Sequence, residues 1–179
     1  DPFVFGRGGE EALTLVAHGV PFRIVPGITA GIGGLAYAGI PVTHRDTNQA
    51  VTFLTGHDQT GLVPDAINWE AVANGSPVIV MYMAMKHIEG IAQSLMQAGR
   101  RADEPLAFVC NAATGAQRVL ESTIGSAAAD ATAAGIEPPA IVVVGEVVRL
   151  RAGLDWLGLS QGRVLEADPL KRQPVRDAG

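Results

Sequence analysis

The feature that most constrains the fold is a nearly continuous apolar run at residues 77–83 (PVIVMYM). A strand with apolar side chains at successive positions must be covered on both faces, as in a sheet between two layers of helices. Further short runs rich in β-branched residues recur along the chain, and helical patterns separate them. This alternation predicts an α/β fold with a mainly parallel sheet.

The bounds of these elements follow from residue periodicity and from glycine stops. Strands are predicted at 22–25, 50–55, 77–83, 106–110 and 140–144. Helices are predicted at 9–18, 87–98 and 124–134, each followed by a glycine that can end it. One more helix, rich in small residues, is predicted after Thr29, which stands where a helix N-cap is expected.

Composition excludes several classes of protein. Hydrophobic residues make up 47% and charged residues 17% of the 179 residues, which excludes an intrinsically disordered chain. The single cysteine, Cys110, excludes a disulfide scaffold. The net charge of −5 provides no basic field, and the longest apolar run is too short to span a bilayer. We therefore expect no nucleic acid or membrane partner. The histidines and the cysteine lack metal-ligand spacing, so no metal is predicted.

The first eleven residues, DPFVFGRGGEE, form the densest candidate site. An acidic residue, a glycine-rich loop and a helix start in succession are how α/β proteins build ligand sites. Arg7 lies among the glycines, where its forked guanidinium can bind an anion, although a solvated arginine is the alternative interpretation. Glu10 and Glu11 fall in the first turn of the predicted helix, where carboxylates favour the helix dipole without any ligand.

Three further segments follow predicted strands or helices. In the turn at 26–31, Thr29 is either a plain N-cap or a hydroxyl that faces a ligand. In the segment THRD, Arg45 either binds a carboxylate substrate or belongs to a solvated linker between domains. His57 and Asp58 follow another strand, and we interpret them as loop because no serine nucleophile accompanies them.

Several stretches of the chain resemble one known family. DPFVFGRGGEE, FRIVPGITAGIGGLAYAGIPVTHR and VTFLTGH, in this order, are similar to the S-adenosylmethionine-dependent uroporphyrinogen-III C-methyltransferases of the tetrapyrrole methylase superfamily. The later stretches PVIVMYMAMKHI, AFVCNAAT and PPAIVVVGEVV are similar as well. The resemblance covers roughly residues 1–158, and its first motif is the most specific.

This resemblance implies a fold and an activity. The expected architecture is tetrapyrrole methylase-like, with two α/β domains, a cofactor cleft between them and a homodimeric assembly in the cytoplasm. The implied enzyme is a methyltransferase that methylates C2 and C7 of uroporphyrinogen III, using S-adenosyl-L-methionine and releasing S-adenosyl-L-homocysteine. The product is precorrin-2, an intermediate for sirohaem, cobalamin and haem d1.

The resemblance also implies roles for individual residues. Arg7, Glu10 and Arg45 match positions that face the tetrapyrrole substrate, and Arg7 is the residue given a catalytic role. Because the substrate carries many carboxylates, forked arginine donors suit its recognition. The implied cofactor contacts are Asp1, Phe3, Val4, Thr29, Ala30, Met83, Ala112 and Ala140.

The chain departs from the family pattern at its start. The pattern begins upstream of Asp1 with a strand, a Gly-Pro-Gly-Asp loop and a helix, so we expect an incomplete first domain. The predicted organisation is the C-terminal part of a first α/β domain at 1–45, a second α/β domain at 46–158 and a C-terminal tail at 159–179. Two alternatives stay open: a related precorrin methyltransferase or diphthine synthase, and a truncated chain that folds and dimerises without catalysis.

Overall fold

The computed structural model describes residues 1–57 and 66–171. The strands in these ranges are β1 Thr52–Thr55, β2 Ile79–Tyr82, β3 Pro105–Cys110, β4 Arg118–Thr123 and β5 Ala140–Val144. The α-helices are α1 Gly8–Ala17, α2 Ala30–Tyr37, α3 Trp69–Gly75, α4 Ile88–Gln97, α5 Ala127–Ala133, α6 Arg151–Leu154 and α7 Trp156–Ser160. Two 3-10 helices, Met85–His87 and Glu146–Leu150, complete the list. Among these described helices, none is both long and apolar enough to cross a membrane.

The strands form one mixed sheet in the order β1-β2-β5-β3-β4. Strands β1 and β2 are parallel, whereas β5 is antiparallel to both β2 and β3, and β4 is antiparallel to β3. The α/β fold is thus confirmed, but the prediction of a mainly parallel sheet is wrong. The loop between Cys110 and Arg118 is too short for a crossover, so β3 and β4 must form an antiparallel hairpin.

Helices cover both faces of the sheet, as the apolar run in β2 predicts. Ile79, Val80 and Met81 are fully buried. Their side chains alternate between two apolar clusters, one on each face. One cluster includes residues of α3, α4 and α5, and the other includes residues of α2 and the second 3-10 helix. The two clusters place the sheet in the middle of the molecule.

Most of the predicted elements are confirmed to within three residues at each end. The strand predicted at 22–25 is wrong, because these residues form no strand. A strand needs a neighbour for its backbone hydrogen bonds, and the sheet of the described residues ends at β1. Strand β4 was missed because it lies at the sheet edge and carries mostly polar side chains.

Long-range hydrogen bonds hold the C-terminal end of α2. The indole Nε1 of Trp156, in α7, donates to the carbonyl oxygen of Ala36 at 3.0 Å. The side-chain amide of Gln117 donates to the carbonyl oxygen of Tyr37 at 3.1 Å. The ring centroids of Tyr37 and Trp156 are 5.4 Å apart. Helix α2 therefore packs with elements of the predicted second domain, and the boundary after residue 45 stays a prediction.

Buried charges hold the last helices against the sheet. The Asp155 carboxylate, 4% exposed, pairs with Arg151 at 2.8 Å and with Arg163 at 2.7 Å. Arg151 also pairs with Glu121 of β4 at 3.1 Å. These pairs attach Arg163, which lies in the predicted tail at 159–179, to the body of the protein. The final residues of that tail lie outside the described range.

The thiol of Cys110 is expected to resist alkylation in the folded protein. The residue is 3% exposed, and burial raises the pKa of its thiol. Because only the thiolate reacts, iodoacetamide at pH 8 should modify the native protein far more slowly than the protein in guanidinium chloride. Mass spectrometry of the peptide that contains Cys110 measures both rates. Equal rates in the two states would contradict the burial of this strand end.

Candidate functional site

The ends of four neighbouring strands, β1, β2, β5 and β3, lie on the same side of the sheet and form the floor of the candidate site. Strands β1 and β2 are parallel, so their carboxyl ends, Thr55 and Tyr82, lie side by side. Strand β5 runs in the opposite direction, and its first residue, Ala140, pairs with Cys110 at the end of β3. The loops that leave these ends can therefore surround a common ligand.

The first cavity at this edge, named here the apolar cavity, has a volume of about 670 Å³. It lies over the ends of β2, β3 and β5. Of the predicted cofactor contacts, four line this cavity. Its lining includes Ala30, Met83, Asn111, Ala112, Pro139 and Ala140. The small side chains among them leave backbone groups within reach of a ligand.

The second cavity, named here the open cavity, has a volume of about 960 Å³. It is lined by Phe3, Phe5, Arg7, Glu10 and Thr55, among others. The glycine-rich loop forms one wall, and α1 starts from that wall. This cavity therefore combines aromatic rings with one cation, Arg7, and one anion, Glu10.

His57 and Met83 line both cavities, so the two cavities adjoin. Met83 has a φ of 53°, and three other lining residues also have positive φ: Phe5 at 53°, Arg7 at 59° and Asn111 at 46°. A left-handed conformation at a residue other than glycine costs about 1–2 kcal/mol. Such residues concentrate at ligand sites, where the surrounding structure imposes the conformation.

Asp1 holds the start of the glycine-rich loop against the turn before α2. Its Oδ1 accepts a hydrogen bond from the backbone N–H of Phe3 at 2.8 Å, and its Oδ2 accepts one from Gly27 at 3.2 Å. The backbones of Gly27 and Asp1 also lie close together. A Cβ added to Gly27 would lie only 3.1 Å from the backbone nitrogen of Asp1. Asp1 thus acts in the structure as a brace between two of the predicted site segments.

Thr29 occupies the N-cap position of α2, as predicted, but its side chain makes no capping hydrogen bond. Its hydroxyl instead lies 2.6 Å from the hydroxyl of Tyr82, at the end of β2. The same Tyr82 hydroxyl accepts a hydrogen bond from the backbone N–H of Gly31 at 2.7 Å. A residue from the sheet therefore performs the capping that the sequence pattern assigned to Thr29.

Arg7 and Glu10 form an exposed pair, with the Nε of Arg7 3.4 Å from the Oε1 of Glu10. Exposed ion pairs of this kind contribute little to the stability of the fold. Pairing with Glu10 is therefore not a sufficient structural reason for an arginine at position 7. Arg45 lies in an exposed turn and lines neither cavity. Val4 packs at the edge of the apolar cluster around α2. The roles that the resemblance implies for these residues, and for the other predicted site residues, stay predictions.

Sequence reasoning missed two residues of the site. His57 does lie in a loop, as interpreted, and it also lines both cavities. Its position directly after a strand that is parallel to β2 is the signal that could have identified it. Asp58, its sequence neighbour, lies outside the described residues. Tyr82 reads as core from its apolar surroundings, and only the structure reveals the partners of its hydroxyl. Across residues 1–57 and 66–171, no cluster of three metal-ligating side chains is present.

Comparison with known proteins gives relatives along nearly the whole chain. The chain is 73% identical over 177 residues to a uroporphyrinogen-III C-methyltransferase from Sinorhizobium sp. The aligned region covers 99% of this chain and 63% of the relative. It is 44% identical over 172 residues to a siroheme synthase from Thiobacillus denitrificans, covering 96% of this chain and 36% of that protein. The chain thus spans less than two thirds of the length of these curated relatives.

A solved structure and a family profile agree with these relatives. The structure of uroporphyrin-III C-methyl transferase from Thermus thermophilus complexed with S-adenyl homocysteine matches with a TM-score of 0.70 and 37% identity. That match covers 84% of this chain and 64% of the other. The profile described as Tetrapyrrole (Corrin/Porphyrin) Methylases matches residues 1–128. Because this profile matches well over half of the chain, the chain belongs to the tetrapyrrole methylase family.

Proposed function

We propose that the protein containing this chain transfers methyl groups from S-adenosyl-L-methionine to C2 and C7 of uroporphyrinogen III, giving precorrin-2 and S-adenosyl-L-homocysteine. The observation that carries the proposal is the pair of adjoining cavities that share His57 and Met83. Methyl transfer requires a donor and an acceptor held in line at close range. Two adjoining cavities can hold the donor and the acceptor next to each other, one in each cavity.

The apolar cavity suits the cofactor. When bound, S-adenosyl-L-methionine supplies a methyl group on a positively charged sulfur. Ala30, Ala112 and Ala140 present small side chains, so nearby carbonyl oxygens can approach a cation of this kind. Met83 and Asn111 turn the backbone at the ends of β2 and β3 through their positive φ angles. The solved relative from Thermus thermophilus, named as a complex with S-adenyl homocysteine, supports the same ligand class.

The open cavity suits the tetrapyrrole. Phe5 offers a ring to the macrocycle, and Arg7 offers a forked donor to its carboxylates. Phe3, predicted as a cofactor contact, lines this same cavity. Glu10 lies beside Arg7 and limits the directions in which the guanidinium can point. In this arrangement Arg7 orients the substrate so that the carbon to be methylated faces Met83 and the apolar cavity. Arg45 would contact the same substrate from the turn after α2.

The proposal extends to the assembly and its location. It retains the predicted division into an incomplete first domain at 1–45, a second domain at 46–158 and a tail at 159–179. It also retains a homodimer in the cytoplasm that feeds sirohaem, cobalamin or haem d1 synthesis. The siroheme synthases among the relatives support the first of these products.

A second candidate is that this chain alone folds without catalysing methyl transfer. The observation that favours it is the length of the chain, which spans 63% of the Sinorhizobium relative. Under this candidate, the contacts of Asp1 with Phe3 and Gly27 would still brace the loop, but the site would bind its ligands weakly or not at all.

One titration separates the candidates. S-adenosyl-L-homocysteine is titrated by calorimetry into this chain and into the full-length product of its gene, and the latter is assayed with uroporphyrinogen III for a product two methyl groups heavier. We expect saturable binding and double methylation by the full-length product. Binding confined to the full-length product would support the second candidate for this chain. Absence of both binding and methylation there would overturn the proposed function.

A further inference from the structure

We infer that Tyr82 is a positioning residue that ties the cofactor side of the site to the substrate side. This inference rests on the proposed function. Tyr82 ends β2, is 8% exposed and itself lines the apolar cavity. It lies directly before Met83, which both cavities share. Its hydroxyl and its ring contact different segments of the site, and each contact has its own consequence.

The hydroxyl holds the turn that enters α2. It accepts the hydrogen bond of Gly31 N–H at 2.7 Å and shares a second hydrogen bond, of 2.6 Å, with the Thr29 hydroxyl. Ala30 lies between these two partners and lines the apolar cavity. The Tyr82 hydroxyl therefore determines where Ala30 stands relative to the cofactor.

The Tyr82 phenol and the Gly31 backbone lie too close together for a side chain to fit between them. A Cβ on Gly31 would lie 2.5 Å from the Tyr82 hydroxyl oxygen, so a glycine is required opposite the phenol. Both hydrogen bonds are buried, and water cannot replace the hydroxyl without a rearrangement of the turn. Removal of the hydroxyl would leave the Gly31 N–H and the Thr29 hydroxyl without this partner.

The ring holds the substrate side. The Tyr82 ring lies against Phe5, with the ring centroids 4.8 Å apart and the planes inclined by 48°. Phe5 lines the open cavity and has a positive φ, so its position depends on what packs against it. The Phe53 ring, 6.4 Å from that of Tyr82, supports the phenol from β1. The ring therefore positions the loop that carries Arg7.

The two contacts can be removed one at a time. Tyr82→Phe deletes the hydroxyl with both of its buried hydrogen bonds and keeps the ring, so the Kd for S-adenosyl-L-homocysteine should rise about tenfold. The KM for uroporphyrinogen III should change less than about twofold, because the ring still packs against Phe5. Tyr82→Leu removes both contacts, so both constants should rise. A merely structural role would not separate the two constants in this way.

The other tyrosine supplies a matched control. Tyr37→Phe also removes one phenol hydroxyl. Tyr37 is the last residue of α2, whereas the Tyr82 hydroxyl binds at the start of that helix. The Tyr37 ring packs on Trp156, away from both cavities. This substitution should leave the Kd and the KM unchanged. Thr29→Val tests the hydrogen bond from its other end, and Thr29→Ser should restore it. If the two hydroxyls act as one unit, adding Thr29→Val to Tyr82→Phe should weaken cofactor binding less than the product of the single effects.

The outcomes are distinguishable. A Kd that rises in Tyr82→Phe no more than in Tyr37→Phe, in an enzyme that binds the ligand when unchanged, would overturn the inference and leave the proposed function standing. Strictly multiplicative effects of Thr29→Val and Tyr82→Phe would also overturn it. Failure of the unchanged full-length protein to bind S-adenosyl-L-homocysteine would overturn the proposed function, and the inference with it.

Discussion

Replacement of Arg7 by lysine is expected to lower kcat/KM for uroporphyrinogen III about 10- to 100-fold in the full-length protein. A lysine keeps the charge but loses the fork that binds a carboxylate with two parallel hydrogen bonds. Loss of such charge-assisted hydrogen bonds costs about 1.5–3 kcal/mol, which corresponds to this range. The Kd for S-adenosyl-L-homocysteine should stay within about twofold, because Arg7 lines the open cavity and not the apolar one. Steady-state kinetics and calorimetry measure the two quantities.

Arg149→Lys is the matched control for this change. Arg149 forms an exposed pair with Glu146, three residues away in sequence, as Arg7 does with Glu10. It lines neither cavity. Loss of a fork in such a pair should therefore leave kcat/KM unchanged. An equal loss of cofactor affinity and of turnover in Arg7→Lys would contradict the role proposed for Arg7.

Replacement of Gly56 by alanine is expected to lower the free energy of unfolding by about 1–3 kcal/mol, the usual cost of overpacking. The Gly56 N–H donates to the Tyr82 carbonyl at 2.7 Å, and a Cβ on Gly56 would overlap the Cα of Ala84. Since that neighbour is backbone, the ends of β1 and β2 would have to separate. Urea denaturation followed by circular dichroism measures the change.

The same substitution should also weaken cofactor binding. Met83 stands between Tyr82 and Ala84, so separation of the strand ends displaces the wall that the two cavities share. Gly115→Ala is the control, because a Cβ there would meet nothing within 4 Å and the residue has no positive φ. A Gly56→Ala protein as stable as Gly115→Ala would show that the strand ends tolerate a wider spacing.

The parts of the fold that depend on local pattern were predictable from sequence. The run at 77–83 specifies a strand buried on both faces, and glycines such as Gly99 mark helix ends that the structure reproduces within a few residues. Whether neighbouring strands are parallel or antiparallel was not predictable in this way, because it depends on which strand ends a connecting loop can join. The short connection between β3 and β4 contained that information, but β4 was hidden by its polar side chains.

Backbone turns with distinctive residues indicated from sequence where the candidate site lies. Arg7 and Glu10 line one cavity and Ala30 lines the other, while their individual roles stay predictions. The role of Tyr82 was not accessible from sequence, since its hydroxyl partners lie more than 50 residues away. His57 follows β1 closely in the chain, but its place on both cavities together with Met83 depends on the parallel pairing of β1 with β2.

The bonds from Trp156 and Gln117 to the end of α2 also bear on the order in which the protein assembles. They connect residues that are 120 and 80 positions apart in the chain. Helix α2 has only 8 residues, too few to be stable in water without its surroundings. During synthesis this helix emerges before both anchors, and the bond from Trp156 can form only after α7 has emerged. The C-terminal end of α2 therefore gains its full set of anchors only after most of the sheet has been synthesised.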